Sequence, residues 1–221
     1  MIESLDDGVG RLLETLNDLD ITDRTVVIFA SDNGGLVRDA SPWGPVTSNL
    51  ELRAGKGSSY EGGIRVPFIV RWPGTTEPGA VENTPVVSPD IYSTILDIAG
   101  LATNSPEVQD GISLVPLLNA TGPIDREALY WHYPHYHPGG ATPHGAVRVG
   151  DLKLIEFYED ARVELYDLGL DVTESQNLAT RYPSQVKHLT DMLHAWRQNV
   201  GAQMPLENPE FDAERAQEFT R

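Results

Sequence analysis

Two polar side chains follow directly on an apolar segment in "FASDNGGL", residues 29–36. Asp32 and Asn33 offer a carboxylate and an amide oxygen, which are the ligand types that Ca²⁺ and Mg²⁺ prefer in proteins. Gly34 and Gly35 allow a sharp turn and leave space for a ligand. The same four residues would also form an ordinary Asx turn after a strand. The spacing alone therefore leaves two interpretations open, a cation site and a simple turn.

A second candidate lies in the glycine-rich segment "GKGSSYEGG", residues 55–63. Lys56 projects from this pliable loop, and a lysine there is a compact cation that can bind an oxyanion. The segment lacks the G-x-x-x-x-G-K-[ST] spacing of a phosphate-binding P-loop, so that assignment fails. The remaining interpretations are an oxyanion-binding lysine and a solvated side chain.

Three histidines lie within six residues of the segment "WHYPHYHPGG", at His132, His135 and His137. Histidine clusters can bind transition metals, but the prolines and the lack of a helix or strand spacing argue against a metal site here. The alternatives are a loop that faces a substrate and a surface loop without a role.

Composition excludes several classes of site and partner. The 221 residues include no cysteine, which excludes disulfides, thiolate metal sites and a cysteine nucleophile in this chain. A net charge of −17 repels phosphate backbones, so we expect no nucleic-acid partner. No run of 18 apolar residues occurs, so we expect no membrane span in this sequence.

Hydrophobic periodicity predicts the elements that must position these residues. Apolar positions at steps of three and four predict a helix over 2–19, and a second helix follows at 89–100. The unbroken β-branched run at 25–31 and a similar run at 66–74 predict parallel strands buried on both faces. Asp32 would then lie at the end of a parallel strand, where ligands of open α/β sheets bind. A sheet with two such strands would keep an exposed edge, which predicts self-association.

The pattern changes after about residue 125. Four short alternating segments, "ALYWHY", "GAVRVG", "DLKLIEF" and "VELYDL", predict an antiparallel sheet, with a two-residue hairpin at Gly150-Asp151. An amphipathic helix is predicted at 183–199. We therefore divide the chain into an α/β part at 1–124, an antiparallel α+β part at 125–204 and a charged tail at 205–221.

Taken in order, several segments resemble the C-terminal portion of a type I sulfatase of the alkaline phosphatase-like superfamily. The matching strings, which follow one another in order between residues 9 and 179, are "VGRLLETLNDLDITDRTVVIFASDNGG", "GKGSSYEGGIRVPFIVRWPG", "VVSPDIYSTILDIAG", "DGISLVPLL", "AVRVGDLKLI" and "ELYDLGLDVTESQNLA". The resemblance implies part of the parallel alkaline phosphatase-like sheet with its helices, followed by a small antiparallel sheet with a helix.

The resemblance also implies roles for the candidate residues. In sulfatases an Asp-Asn pair ligates a divalent cation, usually Ca²⁺ with Mg²⁺ as the alternative, which corresponds to Asp32 and Asn33 here. The loop lysine contacts the sulfate, which makes Lys56 both catalytic and substrate-binding. The histidines at 132, 135 and 137 become candidate contacts for a sulfate ester carried by a glycan or an aryl group.

One family feature is missing from this sequence. Sulfatases use a formylglycine nucleophile made from Cys or Ser in a C/S-x-P-x-R motif, and this chain contains no such motif. We therefore expect the nucleophile in an upstream segment and an isolated chain that is inactive. The sequence does not identify the compartment, and the resemblance suggests a periplasmic or secreted parent protein.

Two alternative functions stay open at this point. One is a phosphatase, phosphodiesterase or phosphonate hydrolase of the same superfamily, which the upstream nucleophile would identify. The other is a non-catalytic module that binds a sulfated glycan or a partner chain.

Overall fold

The computed structural model describes residues 2–37, 47–101, 110–137 and 141–211. Its elements run α1 (Ile2–Asp18), β1 (Val27–Ala30), α2 (Glu61–Ile64), β2 (Phe68–Arg71), α3 (Asp90–Ile98), α4 (Val115–Leu118), β3 (Leu129–Tyr133), β4 (His144–Val149), β5 (Leu152–Phe157), β6 (Val163–Asp167) and α5 (Pro183–Asn199). A short 3₁₀ turn, Thr22–Arg24, precedes β1.

Contacts group the chain into two compact units whose boundaries differ from the division expected from sequence. The first unit comprises Met1–Ser31 and Pro67–Asp125, and the second comprises Asp32–Val66 and Arg126–Arg221. The segment that carries Asp32 and Lys56 therefore groups with the antiparallel sheet, although the sequence pattern had placed it in the α/β part.

The first unit contains the helices and strands predicted for the α/β part. α1 and α3 lie where hydrophobic periodicity predicted them, and Gly100 after α3 has a φ of +65°, a conformation that commonly ends a helix at glycine. α1 has no buried residue. The apolar side chains Ile2, Leu5, Leu12 and Leu19 are exposed.

The prediction that the two strands of this unit run parallel is wrong. β1 and β2 pair antiparallel, with Val27 opposite Arg71 and Ala30 opposite Phe68. The Ser31 amide donates to the Pro67 carbonyl at 3.3 Å, so the chain leaves and re-enters the sheet at the same end. A parallel pair needs a crossover that returns the chain to the opposite end.

Burial on both faces is also not observed for these strands. No residue of β1 or β2 is fully buried, and Leu114 is the one fully buried hydrophobic side chain of the first unit within the described ranges. A two-stranded sheet without a packed face has little stability of its own. The first unit therefore presents a large apolar surface relative to its core.

The second unit contains the predicted antiparallel sheet, in the strand order β3-β4-β5-β6. Gly150, with a φ of +57°, forms the hairpin between β4 and β5. α5 covers one face of this sheet. Its Leu189 and Leu193 pack on Val147, Leu154 and Leu165.

Residues 53–65 contribute to the cover of the opposite face, where Tyr60 packs on an apolar cluster of the sheet. Its buried members are Ala146, Ile155, Phe157, Tyr166 and Leu168. The sheet thus lies between α5 and the segment that carries Lys56. Across the described ranges, no helix has the length and apolar character needed to cross a membrane.

Candidate functional site

Backbone hydrogen bonds join the Asp32–Gly35 turn to the lysine loop. The Gly34 amide donates to the Gly63 carbonyl at 2.9 Å, and the Lys56 amide donates to the Gly35 carbonyl at 3.1 Å. The Asn49 side chain accepts from the Gly35 amide at 3.1 Å and donates to the Gly35 carbonyl at 2.9 Å. The structure therefore brings together the two segments that the sequence singled out.

Close backbone approach explains why this junction uses glycine. A Cβ atom at Gly34 would lie 1.8 Å from the Gly62 carbonyl oxygen, and one at Gly55 would lie 2.3 Å from the Gly35 carbonyl oxygen. Both contacts involve backbone that cannot rotate away. Any side chain at these positions would separate the turn from the loop.

The oxygen atoms of the turn are of the type that a hard cation binds, but they are too few for a complete site. Asp32 is exposed, and the Asn33 amide nitrogen donates to the Gly34 carbonyl at 3.1 Å, which makes the Asn33 side-chain oxygen its potential ligand. The two side chains supply two or three oxygens, whereas Ca²⁺ takes about six to eight. The described residues contain no group of three His, Asp or Glu side chains that could hold a metal. The turn can therefore form part of a metal site.

Lys56 is exposed on a loop whose backbone is well held. The Ser58 amide donates to the Gly55 carbonyl at 3.1 Å, and the Ser58 hydroxyl donates to the same carbonyl at 3.0 Å. Among the described residues, the Lys56 ammonium has no ion-pair or hydrogen-bond partner. A fixed backbone with an unneutralised cation suits an oxyanion ligand.

The three candidate histidines have different surroundings. His132 accepts from the Tyr158 hydroxyl at 2.7 Å through Nδ1 and donates to the Gln203 carbonyl at 2.9 Å through Nε2. His135 is exposed and lies edge-on to Tyr133.

His137 is the candidate histidine that contacts the lysine loop. Its ring lies so close to Gly57 that a Cβ there would be 2.3 Å from the imidazole. The structure therefore places this histidine next to the residue that follows Lys56.

A fourth histidine, to which the sequence gave no role, holds the lysine loop to the sheet. His144 donates from Nδ1 to the Thr142 carbonyl at 2.7 Å, so Nε2 is an acceptor. The Ser59 amide and hydroxyl both donate to Nε2, at 3.1 and 2.8 Å. Burial lowers the pKa of His144 below its usual value. The neutral ring thus makes all of these hydrogen bonds, and a proton on Nε2 would break the two that Ser59 donates.

We expect this histidine to make stability pH-dependent. Because the native pKa is lowered, the unfolded chain takes up a proton first as the pH falls, so stability is lost below about pH 6.5. Between about pH 7.5 and about pH 5.5, the wild-type melting temperature should fall more than that of His144→Gln, which cannot titrate. Equal losses in the two proteins would contradict the assignment.

A buried ionic cluster that was not predicted from the sequence lies beneath the lysine loop. The Lys153 ammonium donates to Glu61 Oε1 at 2.8 Å and to the Ser59 carbonyl at 2.9 Å, and it forms an ion pair with Glu174 Oε1 at 2.7 Å. Glu174 Oε2 accepts from the Glu61 amide at 2.6 Å. Burial raises the pKa of Glu174, and the positive charge of Lys153 opposes that rise.

A second polar group extends this connection between loop and sheet. Arg53 donates to the Tyr166 hydroxyl and to the Glu174 carbonyl, each at 2.8 Å, and lies over the Tyr60 ring. Both phenols donate to Glu164 Oε2, at 2.6 and 2.8 Å. Burial and the Glu164 carboxylate raise the pKa of Tyr166 to about 12, so this phenol stays a donor.

One signal in the sequence could have identified Lys153. In "DLKLIEF" the lysine alternates with Ile155 and Phe157, which places all three on the same face of a strand. A lysine in line with core residues must be paired if it is buried. Its partners Glu61 and Glu174 lie far away in sequence and could not be chosen from the pattern.

A cavity of about 260 Å³ lies elsewhere in the second unit, between β6 and the start of α5. Leu152, Leu165, Leu178 and Tyr182 supply much of its lining, and it includes none of the candidate residues. We assign it no role in the chemistry.

Sequence profiles of two families match this chain. The C-terminal family of N-sulphoglucosamine sulphohydrolase matches residues 55–200, and the sulfatase family matches residues 1–101. Together these matches span both candidate segments and the antiparallel sheet. They agree with the resemblance identified from the sequence strings.

Individual relatives give the same result. A sulfatase of Formosa agariphila is 38% identical over 88% of this chain and 38% of its own length, and human arylsulfatase A is 35% identical over 79% and 37%. The solved structure of BT4656 with D-glucosamine-2-N,6-O-disulfate superposes with a TM-score of 0.71 at 28% identity, over 89% of this chain and 39% of that chain. The chain thus spans about two fifths of the length of these relatives, has the alkaline phosphatase-like α/β fold, and belongs to the sulfatase family.

Proposed function

We propose that this chain is the C-terminal portion of an enzyme that hydrolyses sulfate esters, in which it supplies a sulfate-binding lysine and part of a divalent-metal site. The observation that carries the proposal is the direct bond between the Lys56 amide and Gly35, two residues after Asn33. This bond joins the backbone of Lys56, whose ammonium has no ion-pair partner among the described residues, to the turn that carries Asp32 and Asn33. Family membership then favours sulfate as the oxyanion.

Each candidate residue has a role in this reaction. Lys56 binds sulfate oxygens and stabilises the charge that develops on them in the transition state. Asp32 and Asn33 contribute oxygens to a Ca²⁺ or Mg²⁺ site whose remaining ligands come from outside this chain. The bound cation would act as a Lewis acid that polarises the same sulfate oxygens.

We further propose a sulfated sugar as the substrate class. BT4656, which has the same fold, was solved with a disulfated glucosamine, and this supports a sugar more than an aryl group. His137 would contact the sugar because it lies against Gly57, beside Lys56. His135 would provide a second, more exposed contact, whereas both nitrogens of His132 are engaged within the protein.

Activity of the isolated chain tests whether the nucleophile lies outside these 221 residues. It has no C/S-x-P-x-R motif, so we expect no hydrolysis of p-nitrophenyl sulfate by the purified 221-residue chain, with or without added Ca²⁺. A longer protein that adds the upstream region with its formylglycine should hydrolyse the ester. Turnover by the isolated chain would refute the proposal.

We also propose that the isolated chain self-associates through its first unit. Leu5 and Leu12 of α1 and Leu19 just after it are exposed, and β1 and β2 pair only with each other among the described strands. Exposed strand edges and apolar patches of this kind promote association. Light scattering should show oligomers that Leu12→Lys reduces. Leu206→Lys, at an exposed position in the C-terminal segment, is the control, and a monodisperse monomer would contradict the proposal.

A further inference from the structure

A buried lysine almost one hundred positions away in sequence contacts the loop that carries Lys56. We propose that Lys153 is a positioning residue for Lys56, acting through the backbone of residues 56–59. This inference deepens the proposed function, because its catalytic meaning rests on the role of Lys56 as a sulfate ligand. Its structural content can be tested without any turnover.

The connection runs through bonds of the loop. The Lys153 ammonium holds the Ser59 carbonyl at 2.9 Å, and the Ser59 amide is held by His144 at 3.1 Å. On the other side of the lysine, the Lys56 amide is held by Gly35 at 3.1 Å. The segment that carries Lys56 is therefore fixed at both ends, at one end by the turn and at the other by the sheet.

Lys153 is well placed to impose a conformation on this loop. It lies in β5, which pairs with β4 on one side and β6 on the other, and its side chain is completely buried. Central strands of a packed sheet are the most rigid part of such a unit. The loop therefore takes its geometry from the sheet through this ammonium.

Stability alone does not explain a buried ammonium at this place. Taking a lysine and two carboxylates out of water is costly, and well-packed apolar residues can often replace such a group without loss. What an apolar residue cannot supply is a directed bond to the Ser59 carbonyl and to Glu61. The charge therefore fixes the orientation of the loop backbone, and a loop that presents a catalytic cation requires such a fixed orientation.

Glu174 fixes the cluster from its opposite side. Its backbone has a φ of +52°, which is unusual for a residue other than glycine, and its side chain is completely buried. This conformation places its carboxylate between the Lys153 ammonium and the Glu61 amide, 2.6 Å from the latter. Glu61 begins α2, so the start of this short helix is also defined by the cluster.

The decisive variant must remove the bond without unfolding the chain. Lys153→Met alone leaves two buried carboxylates without their cation, so unfolding would hide the effect. The double variant Lys153→Met/Glu174→Gln removes one charge of each sign and leaves Glu61 beside Arg65 and Arg148. The amide of Gln at position 174 can still accept from the Glu61 amide and donate to its carboxylate.

Amide hydrogen exchange on the 221-residue chain gives a readout that a purely structural role would not produce. In the double variant we expect the amides of Lys56, Ser58 and Ser59 to exchange about ten- to a hundred-fold faster, the factor for losing a bond to a charged group. Amides of β4 and β5 should keep their wild-type rates. Lys187→Met, which breaks an exposed ion pair, should change neither set.

Two results would overturn the inference. Unchanged exchange of the loop amides in the folded double variant would show that Lys153 does not position the loop. Equal acceleration in the loop and in β4–β5 would show that it acts only on global stability. Neither result depends on sulfate. Failure of the proposed function would appear separately, as a wild-type chain whose Lys56 and Gly57 amide shifts do not respond to inorganic sulfate.

Discussion

Replacing Lys153 with methionine is expected to lower the free energy of unfolding by about 3–5 kcal/mol. The substitution keeps the length of the side chain but removes the cation that lies within 2.8 Å of Glu61 and 2.7 Å of Glu174. Glu174 would then be buried without a cation, and Glu61 would keep only its longer ion pairs with Arg65 and Arg148. Denaturant titration followed by circular dichroism measures the loss directly.

Two comparisons identify the cause of that loss. Lys187 pairs with Asp191 at 2.6 Å on the surface, with 77% of its side chain exposed, so Lys187→Met should cost about 0.3–0.5 kcal/mol. The double variant Lys153→Met/Glu174→Gln should recover much of the stability, because it restores the charge balance. A small loss in Lys153→Met, or a double variant less stable than the single one, would contradict the account.

Replacing Lys56 with methionine should abolish most of the activity of a full-length sulfatase that contains this chain. If Lys56 stabilises the sulfate oxygens in the transition state, its removal should reduce kcat by about 10²–10³-fold. The melting temperature should not change, because Lys56 is exposed and, within the described part of the chain, has no ion-pair partner. Initial rates on a sulfate ester, together with thermal unfolding, separate the two effects.

The matched control for this experiment is again Lys187→Met, which removes an exposed lysine on α5. The control should keep the wild-type kcat. If Lys56→Met retained the wild-type rate, the lysine would have no part in catalysis. If it lost rate and stability together, the defect would lie in folding and the assignment of Lys56 as a sulfate ligand would lose its support.

Local patterns in the sequence predicted most of the secondary structure. The periodicity of α1 and α5, the hairpin at Gly150 and the four alternating strands are all confirmed, because each depends on residues within a few positions of one another. The direction of β2 relative to β1 is fixed by pairing between residues about 40 positions apart in sequence, and apolar runs alone do not indicate it, which led to the wrong pairing.

Prediction of the candidate site was likewise limited to residues whose meaning is local in sequence. Asp32, Asn33 and Lys56 could be selected because their types and neighbouring glycines have a chemical meaning in isolation. Lys153, Glu174 and His144 have meaning only through partners 85 to 113 residues away. A single sequence provides no measure of such pairs, although the alternation in β5 marked Lys153 as buried.

The long sequence separations beneath the lysine loop have a consequence for biosynthesis. Glu61 and Glu174 are separated by 113 residues, and Ser59 and Lys153 by 94. During translation the loop leaves the ribosome well before the strands and the glutamate that hold it, and such non-local contacts form slowly. If Lys153 and Glu174 position the loop as proposed, Lys56 can reach its place only after residue 174 has emerged. A stop codon before that point would then remove the geometry proposed for sulfate binding while leaving the lysine itself in place.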